Sequence, residues 1–149
     1  MITSTTAKSG NVVKVNKTIK EGLQGDNIFL KDLSYTDSGA GSTLANFLLV
    51  GQVSADLKIK GCDAATPASD GSQYPLGLLW LGLDEEVSVS AGATRTGLTV
   101  ITGGKFDESL IQFQGSTTLD TILSGRTVRQ WLTDKGFDFK NPSSQTNHA

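Results

Sequence analysis

Residues 70–83, read DGSQYPLGLLWLGL, constrain the fold more than any other stretch of this chain. Asp70 and Gly71 make a turn signature, one bringing a side-chain acceptor and the other a permissive φ. Beyond Ser72, Gln73 and Pro75 comes a nearly continuous apolar run of Leu76, Leu78, Leu79, Trp80, Leu81 and Leu83, broken by Gly77 and Gly82. A short apolar run between turn signals fits a strand buried on both faces, and periodicity alone also admits a buried helix. Two internal glycines and a leading proline weigh against the helix. Residues 75–83 are therefore expected to form the central strand.

Around it the chain reads as strands and turns. Residues 27–33 form a strand or turn segment, and residues 35–43 (YTDSGAGST) are loop by composition. Residues 47–54 (FLLVGQVS) read as a strand in which Gly51 marks a bulge. Ala55, Leu57 and Ile59 alternate with Asp56, Lys58 and Lys60, which predicts a half-buried strand hairpinned to its predecessor. Val87, Val89 and Ala91 alternate with serines, and residues 98–101 (LTVI) are a further strand. Residues 102–104 are expected to make a tight turn or bulge into Lys105 and Phe106. Thr117 or Thr118 can cap a short turn carrying Leu119, Ile122 and Leu123. Residues 126–135 then place Val128, Trp131, Leu132 and Lys135 at helical spacing, with Gly136 where a C′ glycine belongs. Phe137 and Phe139 suggest a short closing strand.

With 17 glycines among 149 residues and 37% apolar residues, this is a strand-and-turn composition. No period of 20–50 residues recurs. The expected fold class is mainly β (α+β): a small compact β domain over residues 21–140 with one C-terminal helix. A flexible N-terminal arm occupies residues 1–20 and a polar tail residues 141–149.

Charge is unevenly placed. Four of the thirteen bases (Lys8, Lys14, Lys17 and Lys20) and none of the fifteen acids fall in residues 1–20, so a basic arm leads into an acidic body. Within the arm, residues 11–16 (NVVKVN) carry a weak strand signal suited to joining another chain's sheet edge. The sequon Asn16-Lys17-Thr18 is read as chance in a chain with no secretion signal. A net charge of −2 gives no reason to expect direct nucleic acid or membrane binding. One cysteine forbids an intrachain disulfide, and no run approaches the ~20 apolar residues of a membrane helix. Synthesis in a cytoplasm is expected.

Catalytic chemistry has little to work with. His148, the single histidine, sits in the polar tail, and Cys62 has no activating neighbour in sequence. Asp84, Glu85 and Glu86 cluster, as do Asp107 and Glu108, but adjacent residues on a strand face opposite ways and read as solvated turns. Gly103-Gly104-Lys105 is no phosphate loop, since Thr99 stands where a glycine belongs and Phe106 replaces the Ser or Thr. Asp63 and Asp70 lack the spacing of a calcium loop. Trp80 and Trp131 read as core rather than ligand-stacking residues. No enzyme activity, cofactor or metal is expected.

The succession Asp70-Gly71-Ser72-Gln73, Pro75, Gly77-Leu78-Leu79, then Gly103-Gly104-Lys105-Phe106-Asp107-Glu108, and a helix closing in Lys135-Gly136-Phe137 resembles the phage head decoration family of lambda type. The resemblance covers residues 47–140 in order. It implies a structural virion protein, a homotrimer at three-fold and quasi-three-fold sites on the outer surface of the expanded head. Such proteins clamp the major capsid protein lattice against the pressure of packaged DNA. It further implies an N-terminal arm that contacts the lattice. For this chain, Val12, Val13 and Val15 would add β pairing to a capsid edge while Lys8, Lys14 and Lys17 meet acidic groups. Three arms on one trimer would raise affinity by ~10²-fold or more. The competing expectation is a small carbohydrate-binding or adhesion module presenting Trp80 or Trp131.

Overall fold

A computed structural model describes residues 23–140, with side-chain surroundings from residue 30 to 139. The arm, the tail and His148 lie outside the described residues. The elements are β1 (Leu23–Thr36), β2 (Ser42–Ala45), β3 (Leu49–Gln52), β4 (Ile59–Gly61), β5 (Pro75–Trp80), β6 (Glu86–Val89), β7 (Thr94–Asp107), a 3₁₀ turn (Glu108–Leu110), β8 (Ile122–Leu123), β9 (Arg126–Thr127), α1 (Val128–Asp134) and β10 (Phe137–Lys140). The body is mainly β with one α-helix near its C-terminal end. No helix among the described residues is long and apolar enough to cross a membrane.

Six strands run in the order β1-β4-β3-β5-β7-β10, and β1 also pairs antiparallel with β7. Five of them therefore close into a ring, and β10 extends the edge of β7 beyond β5. Two small sheets, β2–β6 and β8–β9, stand outside it. β5 is the central strand between β3 and β7, as its apolar run requires. Leu78 and Leu79, both fully buried, point to opposite faces and join different core clusters. Leu78 packs with Leu49, Ile101, Phe106 and the α1 residues Val128 and Leu132. Leu79 packs with Val50, Ile59 and Val100 under Leu44 of β2 and Val89 of β6. The ring is thus covered by α1 and β10 on one side and by β2–β6 on the other.

Glycine permits two close approaches on this sheet. A Cβ on Gly77 would fall well inside contact distance of the Ile101 carbonyl, and one on Gly51 would strike the Ser72 carbonyl. The register of β3 against β5 shifts between Val50 and Gly51, so the expected bulge is present.

Helix α1 starts two residues later than its periodicity suggests. Thr127 caps it by accepting from the Gln130 N–H at 3.1 Å, and Gln130 Oε1 accepts from the Thr127 N–H at 2.8 Å. Gly136, at φ 105°, ends it and turns the chain into β10.

Several strand boundaries differ from expectation. The central strand stops at Trp80, because Asn46 Oδ1 takes the Leu81 N–H at 2.7 Å and Gly82 adopts φ 68°; Leu83 is 71% exposed. Phe47 has φ 64°, so its strand begins at Leu49. Residues 55–58 form a turn and not a strand. Asp56 Oδ1 accepts from the Lys58 N–H, Leu57 donates to Val53 O, and Leu57 is exposed at φ 62°. Local side-chain acceptors outcompeted the alternation there. Of the turn or bulge expected at residues 102–104, the bulge is present: the register of β1 against β7 shifts between Phe29↔Gly103 and Leu30↔Ile101, while β10 pairs with Gly104 and the segment stays inside the 14-residue β7. Tyr35 and Thr36 belong to β1, and Ser42 and Thr43 to β2, leaving only residues 37–41 as loop. Ile122 and Leu123 form β8 instead of riding on a helical turn, while Leu119 is buried.

Candidate interaction surfaces

The sequence-selected arm residues Lys8, Val12, Val13, Lys14, Val15 and Lys17 lie outside the described residues. Of the acidic candidates within them, Asp107 and Glu108 hold local structure. Asp107 is buried and caps the 3₁₀ turn, accepting from the Ser109 N–H at 3.0 Å and its Oγ–H at 2.7 Å. Glu108 receives both terminal nitrogens of Arg129, at 3.2 and 3.0 Å. That contact raises the Arg129 pKa further above its ordinary value. Asp84 and Glu85 are exposed in the turn before β6, where the Glu85 carbonyl accepts the Asn46 N–H. None of these carboxyls forms a facing pair across a cleft.

Asp70 holds the turn that leads into β5. Its carboxylate meets Lys60 Nζ at 2.7 Å and accepts from the Ser72 N–H and Oγ–H, contacts that hold its pKa well below the usual carboxylate range. Cys62 is fully buried and donates its S–H to the Gln73 carbonyl at 3.2 Å. Burial, and then the charge of Asp63, push its thiol up to about 12. It is an inert core thiol. Among the described residues no three His, Cys, Asp or Glu side chains gather as a metal site.

The tryptophans are half-buried. Trp131 donates Nε1–H to the Leu123 carbonyl at 3.0 Å, and its ring already meets Tyr74 (5.2 Å between centroids) and the Arg126 guanidinium (4.6 Å). Trp80 packs against the first core cluster, its Nε1 buried without a hydrogen-bond partner. It also lines a cleft of about 340 Å³ with Arg95 and Asp84.

Asp37 organises a junction that strand periodicity does not reveal. Its Oδ2 accepts the N–H groups of Gly39, Gly41 and Gly92, and its Oδ1 accepts from Ser42, which in turn receives the Tyr35 hydroxyl at 2.6 Å. These bonds, with Ser42 foremost, hold the Asp37 carboxyl well below the ordinary range. The visible signal is an aspartate followed at two and four residues by glycines in DSGAGS.

Beside this junction lies the larger cleft, about 600 Å³, with Tyr35, Ser42–Ala45, Lys60–Gly61 and Gln112–Gln114 among its walls. Leu44, Leu48 and Phe113 supply its apolar lining. Its walls carry hydroxyls and one lysine, and no carboxylate, histidine or cysteine.

No protein-family model matches this chain, and no curated protein matches it.

Proposed function

We propose that this protein is a phage head decoration protein. In this reading it binds the outer surface of the expanded head as a homotrimer at three-fold and quasi-three-fold sites and stabilises the major capsid protein lattice. The arm, with Lys8, Lys14 and Lys17 as its cations and Val12, Val13 and Val15 as its strand formers, is the capsid-binding element.

The observation that supports the reading is where its motifs fall. Asp70-Gly71-Ser72 builds the turn into the central strand, Gly103 to Glu108 runs from the last third of β7 into the 3₁₀ turn, and Lys135-Gly136-Phe137 joins α1 to β10. These three motifs sit at junctions of one β body, while Gly77-Leu78-Leu79 lies inside its central strand. The glycan-binding alternative is weaker, since the Trp131 ring is already occupied by Arg126 and Tyr74.

The deciding experiment is co-sedimentation of the purified protein with expanded and unexpanded heads of the cognate phage. Binding to expanded heads alone, saturating near one copy per capsid subunit, is the expected result. Absence of binding to either form overturns the reading.

A further inference from the structure

β5 and β7 separate beyond the Trp80↔Thr99 pair. The Leu81 N–H goes to Asn46 Oδ1 and Gly82 turns away at φ 68°, so the 340 Å³ cleft opens between the end of β5 and residues 95–99 of β7. Trp80, Leu81, Val87 and Leu98 give it apolar walls, while Arg95 comes from β7 and Asp84 from the turn before β6. Both charged residues are exposed, and neither has an ion-pair partner among the described residues.

The turn between β3 and β4 carries the matching arrangement. Its Asp56-Leu57-Lys58 sets an apolar residue between an acid and a base. Leu57 is 61% exposed at φ 62°, a conformation unfavourable for leucine that little burial within the chain offsets. The turn is nonetheless fixed. Leu57 N–H donates to the Val53 carbonyl at 2.9 Å, Val53 N–H to the Lys58 carbonyl at 2.8 Å, and Gln52 Nε2 to the Leu57 carbonyl at 2.8 Å. Asp56 Oδ1 accepts the Lys58 N–H at 3.0 Å, and neither side chain has an ion-pair partner among the described residues. A tip already held in shape loses little conformational freedom on docking.

We infer that this tip inserts into the cleft of a second copy, with Leu57 against Trp80, Leu81, Val87 and Leu98, Lys58 toward Asp84, and Asp56 toward Arg95. Charge complementarity selects the occupant: the cleft sets one base and one acid around apolar walls, and the tip sets an acid and a base around an apolar residue. A chain cannot fill its own cleft. Gly51 pairs with Pro75, and the Ser54 N–H is held by the Asp70 carbonyl at 2.8 Å, which fixes the tip beyond the Pro75 end of β5, whereas the cleft begins at Trp80. Those two ends are ~17 Å apart along the strand. The contact is heterologous, tip of one copy to cleft of the next, and joins copies into a ring where the rotation closes. It leaves the arm and its capsid-binding role untouched and does not depend on the decoration reading.

The test is sedimentation equilibrium of the full-length protein, without heads, over a range of concentration, where the wild type is expected to self-associate. Leu57→Gly suits φ 62° and removes the anchoring side chain, so it is expected to keep or raise Tm while weakening association by ~10-fold or more. Lys58→Glu and Asp84→Lys should each weaken association by ~10-fold, and the chain carrying both, with the pair restored in reverse, should return to within ~3-fold of wild type. A wild type that stays monomeric at millimolar concentration, as it would with the cleft filled by its own arm or tail, overturns the inference. So does a Leu57→Gly chain that associates like wild type, or a double variant no better than the single ones. With heads absent, failure here leaves the decoration reading standing, and failure of head binding leaves this contact standing.

Discussion

The Oδ2 of Asp37 accepts the backbone N–H of Gly92 at 3.0 Å, tying the end of β1 to the turn between β6 and β7 across 55 residues of chain. The same carboxylate gathers Gly39, Gly41 and Ser42, so one charge orders two turns and the start of β2. Replacing it leaves several donors without their acceptor. Asp37→Ala is expected to lower Tm at neutral pH by on the order of 5 °C. Because the folded carboxyl titrates far below its unfolded value near ~3.9, its contribution is complete above that value and is lost as pH falls through the lower folded one. The Tm gap between wild type and Asp37→Ala should therefore narrow as pH drops from ~4 toward ~2. A gap that stays constant over that range contradicts the assignment.

Arg129 and Glu108 join α1 to the 3₁₀ turn through a two-pronged contact. Their side chains are 38% and 22% exposed, so solvent screens much of the attraction. Arg129→Lys cannot reproduce the fork and should cost about 0.5–1 kcal/mol in urea unfolding. Added salt should shrink that difference.

Glycine positions separate steric from conformational demand. Gly51→Ala and Gly77→Ala drive a Cβ into backbone carbonyls that belong to paired segments, and each should cost on the order of 3 kcal/mol. Gly82→Ala meets nothing within 4 Å and faces only its φ of 68°, a cost of about 1 kcal/mol. Equilibrium unfolding of the three variants should rank them in that order. Equal losses at Gly82 and Gly77 would contradict the close approach.

Cys62 should resist alkylation in the folded protein at pH 8, since its thiol is fully buried and titrates near 12. Labelling in strong denaturant should proceed at the rate of a free thiol, and the ratio of the two rates reports global opening. Rapid labelling of folded protein would mean that the Leu49–Leu78 core opens locally.

Local chemistry announced part of this architecture. The run at 75–80 needed only its own apolar residues and flanking turn to declare a strand, and burial on both faces followed from Leu78 and Leu79 standing side by side. Gly136 and the spacing of Val128, Trp131 and Leu132 announced the helix, because capping and i, i+4 contacts act within a few residues. Where a local signal competed with another, it misled. Leu57 kept the alternation of a strand while Asp56 turned the chain. Gly103 and Gly104 marked a turn or a bulge alike, and pairing with two neighbouring strands decided for a bulge within β7.

The sequence by itself determined the mainly β class, the central strand, the helix before Gly136 and the basic character of residues 1–20, all consequences of near-neighbour propensity and charge. Only the tertiary structure decided that β1 pairs with both β4 and β7 to close the ring, that Asp37 staples two distant turns, and that the outer edges of β2 and β4 face one cleft. Those features depend on pairings between residues far apart in the chain. Strand periodicity encodes which face of a strand is buried but carries no information about which strand lies beside it.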